Sequence, residues 1–419
     1  MTFIGSVALA RSLGPDGRGA QGFFVAATVV LSTIVCVSTP TGDYILATRR
    51  LADPRTLTIN APWLSAIGGI VAGLVMLAIG AATSLIPAPL LAVPAWPIAF
   101  AIAVAGFAFN THQIQLALAS GRPLLGAFLS FGTYALAGLG YAAVLVAHGG
   151  LSAAIWIVVG APYATALVAA FARPRWVGLV PGRPDRQVAQ RTVRQGTRFY
   201  LGELAAILHL RQDVLLLGVL APASTVGVYV VAYQTAEPIL VIASAASAAV
   251  LALGVDASAT AGSRTGDAAP RLIRETFVIG ALAAALAAVI APFAIPLIYG
   301  SVFAGAAGPF LVLLPAALLL AIGRIALAEL TRRNLLERTV VVSVAAVVVN
   351  LTANVILIPA FGAMGAALSS LISYGGTALL AIHYLRRDLG TGWSTFAPTG
   401  EDVANTWRAW RPASLGRRR

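Results

Sequence analysis

The chain has 419 residues, 59% of them hydrophobic and 10% charged, with a mean hydropathy of +0.87. A soluble domain carries about 25% charged residues, so this composition excludes a water-soluble globular fold and places the chain in a membrane. The 28 basic residues are all arginine and give a net charge of +13, while a single cysteine and four scattered histidines exclude a disulfide framework and a metal-binding spacing.

About 20 apolar residues at ~1.5 Å rise cross a hydrocarbon core of ~30 Å, so the spans can be placed by their uncharged centres. Met1 to Ala10 is apolar but half that length, and reads as the outer end of a first helix that is cut short. Either the start truncates helix one or the helix is a stub; a cleaved signal peptide fits less well, because no basic residue precedes the apolar run. Full spans follow over about 22–41, 62–85, 92–119, 124–147 and 151–172. In the second of these, Gly69 and Gly73 have the small-xxx-small spacing of close helix packing. The inner end of the third is polar through Asn110, His112, Gln113 and Gln115.

Residues 173–196, rich in arginine and proline, separate six helices from six and read as the linker between two bundles. Asp185 is its one carboxylate, so acid/base catalysis has no home there. Beyond it lie spans over about 197–220, 226–253, 275–298, 306–330, 339–358 and 363–385. Residues 386–419 form a tail with Trp393, Trp407 and Trp410, expected to be disordered or interfacial.

Connections with arginine alternate with connections that have none, which assigns the arginine-rich loops and both chain ends to the cytoplasm and makes twelve helices in all. The arginines are then accounted for by topology and by anionic lipid headgroups, without nucleic acid. The connections on the other side are about three to eight residues long, too short to present the acids or histidines of a membrane-embedded enzyme. No catalytic residue, metal or cofactor is expected.

An ionisable group at mid-bilayer costs roughly 2.5–3.5 kcal/mol on insertion scales, so charges inside spans are informative. They concentrate in the second half of the chain. The span over 197–220 carries Glu203, His209, Arg211 and Asp213, the next carries Tyr229, Tyr233, Gln234 and Glu237, and the span over 306–330 carries Arg324 and Glu329. Arg211 lies nine residues from the outer loop, ~14 Å deep. Tyr229, Tyr233 and Glu237, at i, i+4 and i+8, form a stripe on the neighbouring helix. Two readings stay open for Arg211: an ion pair with Glu237 or Asp213 that joins helices, or a cationic anchor for an anionic substrate. Arg324 divides between a cavity and an extension toward water. Asn350 and Asn354, one turn apart, can bridge helices or touch substrate.

The segment Ala10-Arg11-Ser12-Leu13-Gly14-Pro15-Asp16-Gly17-Arg18-Gly19 resembles the loop after the first helix of bacterial polysaccharide flippases. Gly227-Val228-Tyr229-Val230-Val231-Ala232 with Glu237 resembles their start of helix eight, and Ile298-Tyr299-Gly300-Ser301-Val302-Phe303 their turn before helix ten. Asn350, Asn354 and Leu357 to Ala367 resemble the join of helices eleven and twelve. The family is the oligosaccharide flippase branch of the multidrug, oligosaccharidyl-lipid and polysaccharide exporters.

The resemblance implies an all-α polytopic membrane protein with two six-helix bundles, 1–172 and 197–385, about a central cavity with alternating access. Leu13-Gly14-Pro15 with Gly19 echoes Leu220-Ala221-Pro222 with Gly227 at a period near 207, as an internal repeat would. The implied cargo is an undecaprenyl-pyrophosphate-linked oligosaccharide flipped across the plasma membrane of a bacterium for cell-surface polysaccharide synthesis. Membrane lipids, and a glycan polymerase or glycosyltransferases, are the implied partners. Arg211 and then Arg324 are implied to meet the diphosphate, with Tyr229, Tyr233 and Asn354 lining the site. Glu203, Asp213 and Glu237 would balance charge or couple to an ion. Positive charge in the middle of the first bundle is missing on this reading. The alternatives are a sodium- or proton-driven exporter of drugs or organic cations, and a non-transporting membrane component of a glycan synthesis complex.

Overall fold

The computed structural model describes residues 3–83, 85–172, 180, 182–238, 268–402 and 404, and every regular element among them is helical. In order these are α1 Phe3–Cys36, α2 Thr39–Thr48, α3 Pro54–Ala82, α4 Ala88–Leu91, α5 Trp96–Ala119, α6 Pro123–Val146, α7 Leu151–Ala172 and α8 Arg186–Leu220. Then come α9, described over 223–238, α10 Ala268–Tyr299, α11 Ala307–Arg332, α12 Leu336–Phe361 and α13 Ala363–Leu389. Among the described residues, nine helices are long and apolar enough to cross a membrane. The break at Gly14 divides α1 into a short half before it and a span after it, α8 is long but charged, and most of the span expected over 226–253 lies outside the described residues.

The first helix corrects the sequence reading. Arg11 to Gly19 is not a loop: helix runs on both sides of a single non-helical residue, Gly14, at φ 63° and ψ −176°. Glycine reaches that conformation without a Cβ penalty, and Pro15, lacking an N–H, opens the second half. That half ends at Cys36, so the second span lies about five residues earlier than expected. Val37 and Ser38 then take left-handed φ of 48° and 53°, and α2 restarts at Thr39 with Pro40 in its first turn.

The chain divides into two compact units. The first comprises Met1–Val231 with Leu297–Phe303 and Ile358–Ala363, and the second the remainder. The division falls within α9, later than the 173–196 linker expected, because α8 packs on the first bundle. Half of that linker is itself helix. Asp185 caps α8, its side chain accepting from the N–H groups of Gln187 at 2.8 Å and Val188 at 3.0 Å. Asn60 of α3 exchanges two hydrogen bonds with the Asp185 backbone, at 3.0 and 2.9 Å.

Within the first unit, small residues set the helix spacing. A Cβ at Gly69 would stand 2.3 Å from the Ala101 carbonyl oxygen, so α3 and α5 touch backbone to backbone along the Gly69–Gly73 face, as the spacing predicts. On the opposite face of α3, Trp63, Ile67, Ile70, Leu74 and Leu77 are exposed, an apolar stripe suited to lipid. At the end of α10, Arg11 donates from Nε to the Ile298 carbonyl and from Nη2 to the Leu297 carbonyl, both at 2.8 Å, and so satisfies two acceptors that the helix leaves open.

The second unit has its own core, in which Ile273 of α10, Leu318 to Ile325 of α11, Val342 of α12 and Ala378 to Leu385 of α13 enclose Phe396. The first part of the tail is therefore docked and not disordered as expected. Arg274 of α10 holds it, donating to Asp402 at 3.0 Å and to the Thr395 carbonyl at 2.8 Å. The stretch 405–419 lies outside the described residues. Glu329 accepts from Arg332 and Arg333, and Arg333 reaches Asp388 at 3.0 Å, which ties the arginine-rich ends of α11 and α13 together.

Candidate functional site

Polar side chains in the first unit gather in three places. One surrounds Arg18, four residues beyond the Gly14 break and wholly buried. Its Nη1 donates to Gln21 Oε1, and its Nη2 donates to Ser6 Oγ at 3.5 Å, across the kink. Gln21 in turn donates from Nε2 to the hydroxyl of Tyr141 on α6 at 3.3 Å. The break at Gly14 brings Ser6 and Arg18 together by joining two half-helices, and continuing the helix past Gly14 puts Arg18 inside the bundle and not in a loop. Sequence reasoning missed Arg18 for that reason, and a positive charge in the first bundle is present after all.

The second gathering lies where α2, α5 and α8 meet, toward the arginine-rich end. His112 Nδ1 and Asp43 Oδ2 are 2.6 Å apart, and neither side chain has any exposed surface. Thr192 of α8 donates to the other carboxylate oxygen at 2.9 Å, and Thr39 Oγ1 lies 3.3 Å from His112 Nε2. Gly42 and Gly196 allow this closeness: a Cβ at Gly42 would stand 2.3 Å from the Thr192 carbonyl oxygen. The sequence marked His112 only as part of a polar helix end, and Asp43 not at all. A histidine amid apolar residues of a span, which needs a partner once buried, was the available signal.

The third holds part of the expected site. Asp213 of α8 accepts the hydroxyl hydrogen of Tyr229 on α9, and both are buried. Arg211 lies two residues before Asp213 and is half-buried. Glu203 accepts from the Thr41 hydroxyl at 2.5 Å, which joins α8 to α2. The structure thus brings Asp213 and Tyr229 together and places Glu203 elsewhere, against α2. Tyr233, Glu237, Arg324 and Asn354 belong to the second unit. There Tyr233 is buried, and Glu237 and Arg324 are half-buried. Asn354 is fully buried, its Nδ2 donating to Asn350 Oδ1 at 2.8 Å along the same helix.

The repeat noticed in the sequence has a physical counterpart between α1 and α9. A Cβ at Gly19 would fall 1.8 Å from the Ala223 carbonyl oxygen, and one at Gly227 would fall 2.0 Å from that of Pro15. Each glycine meets the carbonyl four residues before the other, so a shift of 208 residues maps each side of the contact onto its partner. That reciprocity is the signature of a two-fold-related pair of helices.

No family model matches the chain, and no curated protein matches it. Solved structures do. The inward-facing conformation of a multidrug resistance MATE family transporter of the MOP superfamily is similar over 92% of this chain and 93% of its own, at TM-score 0.74 and 16% identity. The outward-facing conformation of such a transporter is similar over 92% and 91%, at TM-score 0.58 and 16% identity. A MOP superfamily transporter from Pyrococcus furiosus, whose binding pocket of reverse polarity suggests a different function, is similar over 92% and 91%, at TM-score 0.58 and 17% identity. The chain has the all-helical, twelve-span fold of the MATE transporters.

Proposed function

We propose that the chain is a membrane transporter that works by alternating access, and that it flips an undecaprenyl-pyrophosphate-linked oligosaccharide across the plasma membrane. The fold neighbours support transport. The observation that carries the cargo is Arg18, a guanidinium wholly buried in the first unit and held by Ser6 and Gln21. A cation at that depth is costly and is kept for a task. Arg211, half-buried about seven turns into α8, adds a second. Guanidinium groups fit the oxygens of a diphosphate in a two-pronged way. No bond is made or broken in such a cycle; the two halves rock and the anion-binding groups face first one side and then the other.

Export of drugs or organic cations is the second reading. It is favoured by the multidrug resistance transporters among the fold neighbours, and Asp213, Glu203 and Glu237 would serve it. Depleting the protein in a cell that carries it separates the two. Lipid-linked glycan accumulating on the cytoplasmic face supports flipping, and changed dye retention with normal surface glycan supports export.

A further inference from the structure

At the arginine-rich end of the second unit, most guanidinium groups are matched to carboxylates. Arg271 meets Glu275 at 2.8 Å, Arg274 meets Asp402 at 3.0 Å, and Arg332 and Arg333 share Glu329. Asp388 is taken up by Arg333 at 3.0 Å and Arg338 at 3.8 Å. Arg386 and Arg387, in the last turn of α13, have no carboxylate partner among the described residues. Arg387 is exposed, and the buried Nε of the half-buried Arg386 makes no hydrogen bond. The carbonyl end of a helix favours cations, which explains why arginines stand here. It does not explain what surrounds them.

The chain turns back over these arginines. Gly390, at φ 66°, ends α13, and the Thr391 N–H donates to the Arg386 carbonyl at 3.0 Å. Trp393 then lies with its ring centre 4.9 Å from the Arg386 guanidinium carbon, and the His383 ring is 6.4 Å from it on the other turn of the helix. A cation over a ring face is attracted but not neutralised, so the positive charge persists. Trp393 stays 45% exposed although it opens the helical turn Trp393–Phe396, whose Phe396 is buried in the core. An exposed indole beside guanidinium groups suits the boundary between headgroups and hydrocarbon, where its apolar body and its N–H both find partners.

The same face of α13 continues into apolar surface. Ile372, Gly376, Leu379, His383 and Arg386 follow at steps of three or four residues and form one stripe. Ile372 and Leu379 are exposed, and a Cβ at Gly376 would meet nothing, which leaves a notch between them. From Ile372 to His383 the helix rises roughly 16 Å, about half of a hydrocarbon core of ~30 Å and so the depth of one leaflet. We propose that this face binds an anionic phospholipid of the surrounding bilayer, its phosphate at Arg386 and Arg387 and an acyl chain along Ile372, Gly376 and Leu379. Two unmatched cations complement an anionic headgroup, and a zwitterionic one would bring an ammonium that finds no free carboxylate among the described residues here. The inference is independent of which cargo the protein moves.

The test uses the full chain in phosphatidylcholine nanodiscs doped with a phosphatidylglycerol or a phosphatidylcholine that carries a photoreactive diazirine in its acyl chain. Crosslinks to residues 372–393 are counted by mass spectrometry relative to those on the exposed stripe of α3. The phosphatidylglycerol probe is expected to exceed the phosphatidylcholine probe about tenfold or more on the native protein, as two arginines near an anionic headgroup would give. Equal labelling by the two probes overturns the proposal without recourse to any variant. Arg386→Gln combined with Arg387→Gln should bring the phosphatidylglycerol signal down to the phosphatidylcholine signal, whereas the paired Arg→Lys changes, which keep the charge, should retain the preference. A glutamine pair that labels as the native protein does, with unchanged phosphatidylcholine labelling, overturns it as well. So does a preference that millimolar inorganic phosphate erases at constant ionic strength, which would make this a site for free phosphate and not for lipid.

Discussion

Gly19 and Gly227 meet where α1 crosses α9, and each occupies the place where the other helix offers a carbonyl oxygen, Ala223 to Gly19 and Pro15 to Gly227. A side chain on either would have to displace backbone. Two helices 208 residues apart in the chain thus pack as related copies, and the contact anchors the start of α9 to the first unit.

Gly19→Ala or Gly227→Ala should force α1 and α9 apart. Overpacking of this kind costs ~1–3 kcal/mol, and a carbonyl cannot rotate away as a side chain does, so the upper end applies. Thermal aggregation followed by size-exclusion chromatography should show both variants less stable than the native protein. Gly150→Ala, where a Cβ meets nothing, should leave stability unchanged.

Ser38→Gly should act in the opposite direction. Ser38 is buried with left-handed φ, and its hydroxyl makes no hydrogen bond. Removing the Cβ relieves a penalty of roughly 1–2 kcal/mol, less the entropy that glycine adds to the unfolded chain. A gain of about 1 kcal/mol in stability is expected, read from the same thermal assay.

The spans among the described residues were legible in the sequence because apolar length alone marks a helix in lipid, and Gly69 with Gly73 named a contact that α3 and α5 make. Arg18 was not legible. Its surroundings, Gly14-Pro15-Asp16-Gly17-Arg18-Gly19, have the composition of a loop, and one positive-φ glycine breaks the helix without ending it. The Asp43–His112 pair was hidden because its partners lie 69 residues apart on different helices. Asp185 resembled a loop carboxylate for want of the N–H groups that it caps.

The tail should come loose in acid. Asp402 accepts from the Thr399 hydroxyl and backbone N–H and from Arg274, which hold its carboxyl below the usual carboxylate range. A lowered folded-state value means that the clasp stabilises fully above the unfolded value of 3.8 and fades as pH falls through the lower folded one. Hydrogen exchange over 393–402 should be slower in the native protein than in Asp402→Asn near pH 7. The two should converge in strong acid, compared at each pH so that intrinsic rates cancel.

Arg18→Met keeps much of the volume and removes the charge. It also takes a donor from Gln21 Oε1 and Ser6 Oγ, a cost of about 1–3 kcal/mol, so the variant is compared after size-exclusion chromatography shows it folded. A charge-assisted hydrogen bond to phosphate is worth ~1.5–3 kcal/mol, so affinity for an undecaprenyl-pyrophosphate glycan in nanodiscs should fall about tenfold or more. An Arg18→Met variant that binds this probe as the native protein does would make Arg18 a structural residue.

The central claim is that cations inside the first unit carry an anionic lipid-linked sugar across the bilayer. Its most direct test is movement of a fluorescent undecaprenyl-pyrophosphate oligosaccharide from the inner to the outer leaflet of vesicles that contain the purified protein. Native protein is expected to move the probe, and Arg211→Ala and Arg18→Met to slow it about tenfold or more. Vesicles with native protein that move it no faster than empty vesicles, or in which both variants match the native rate, would contradict the claim.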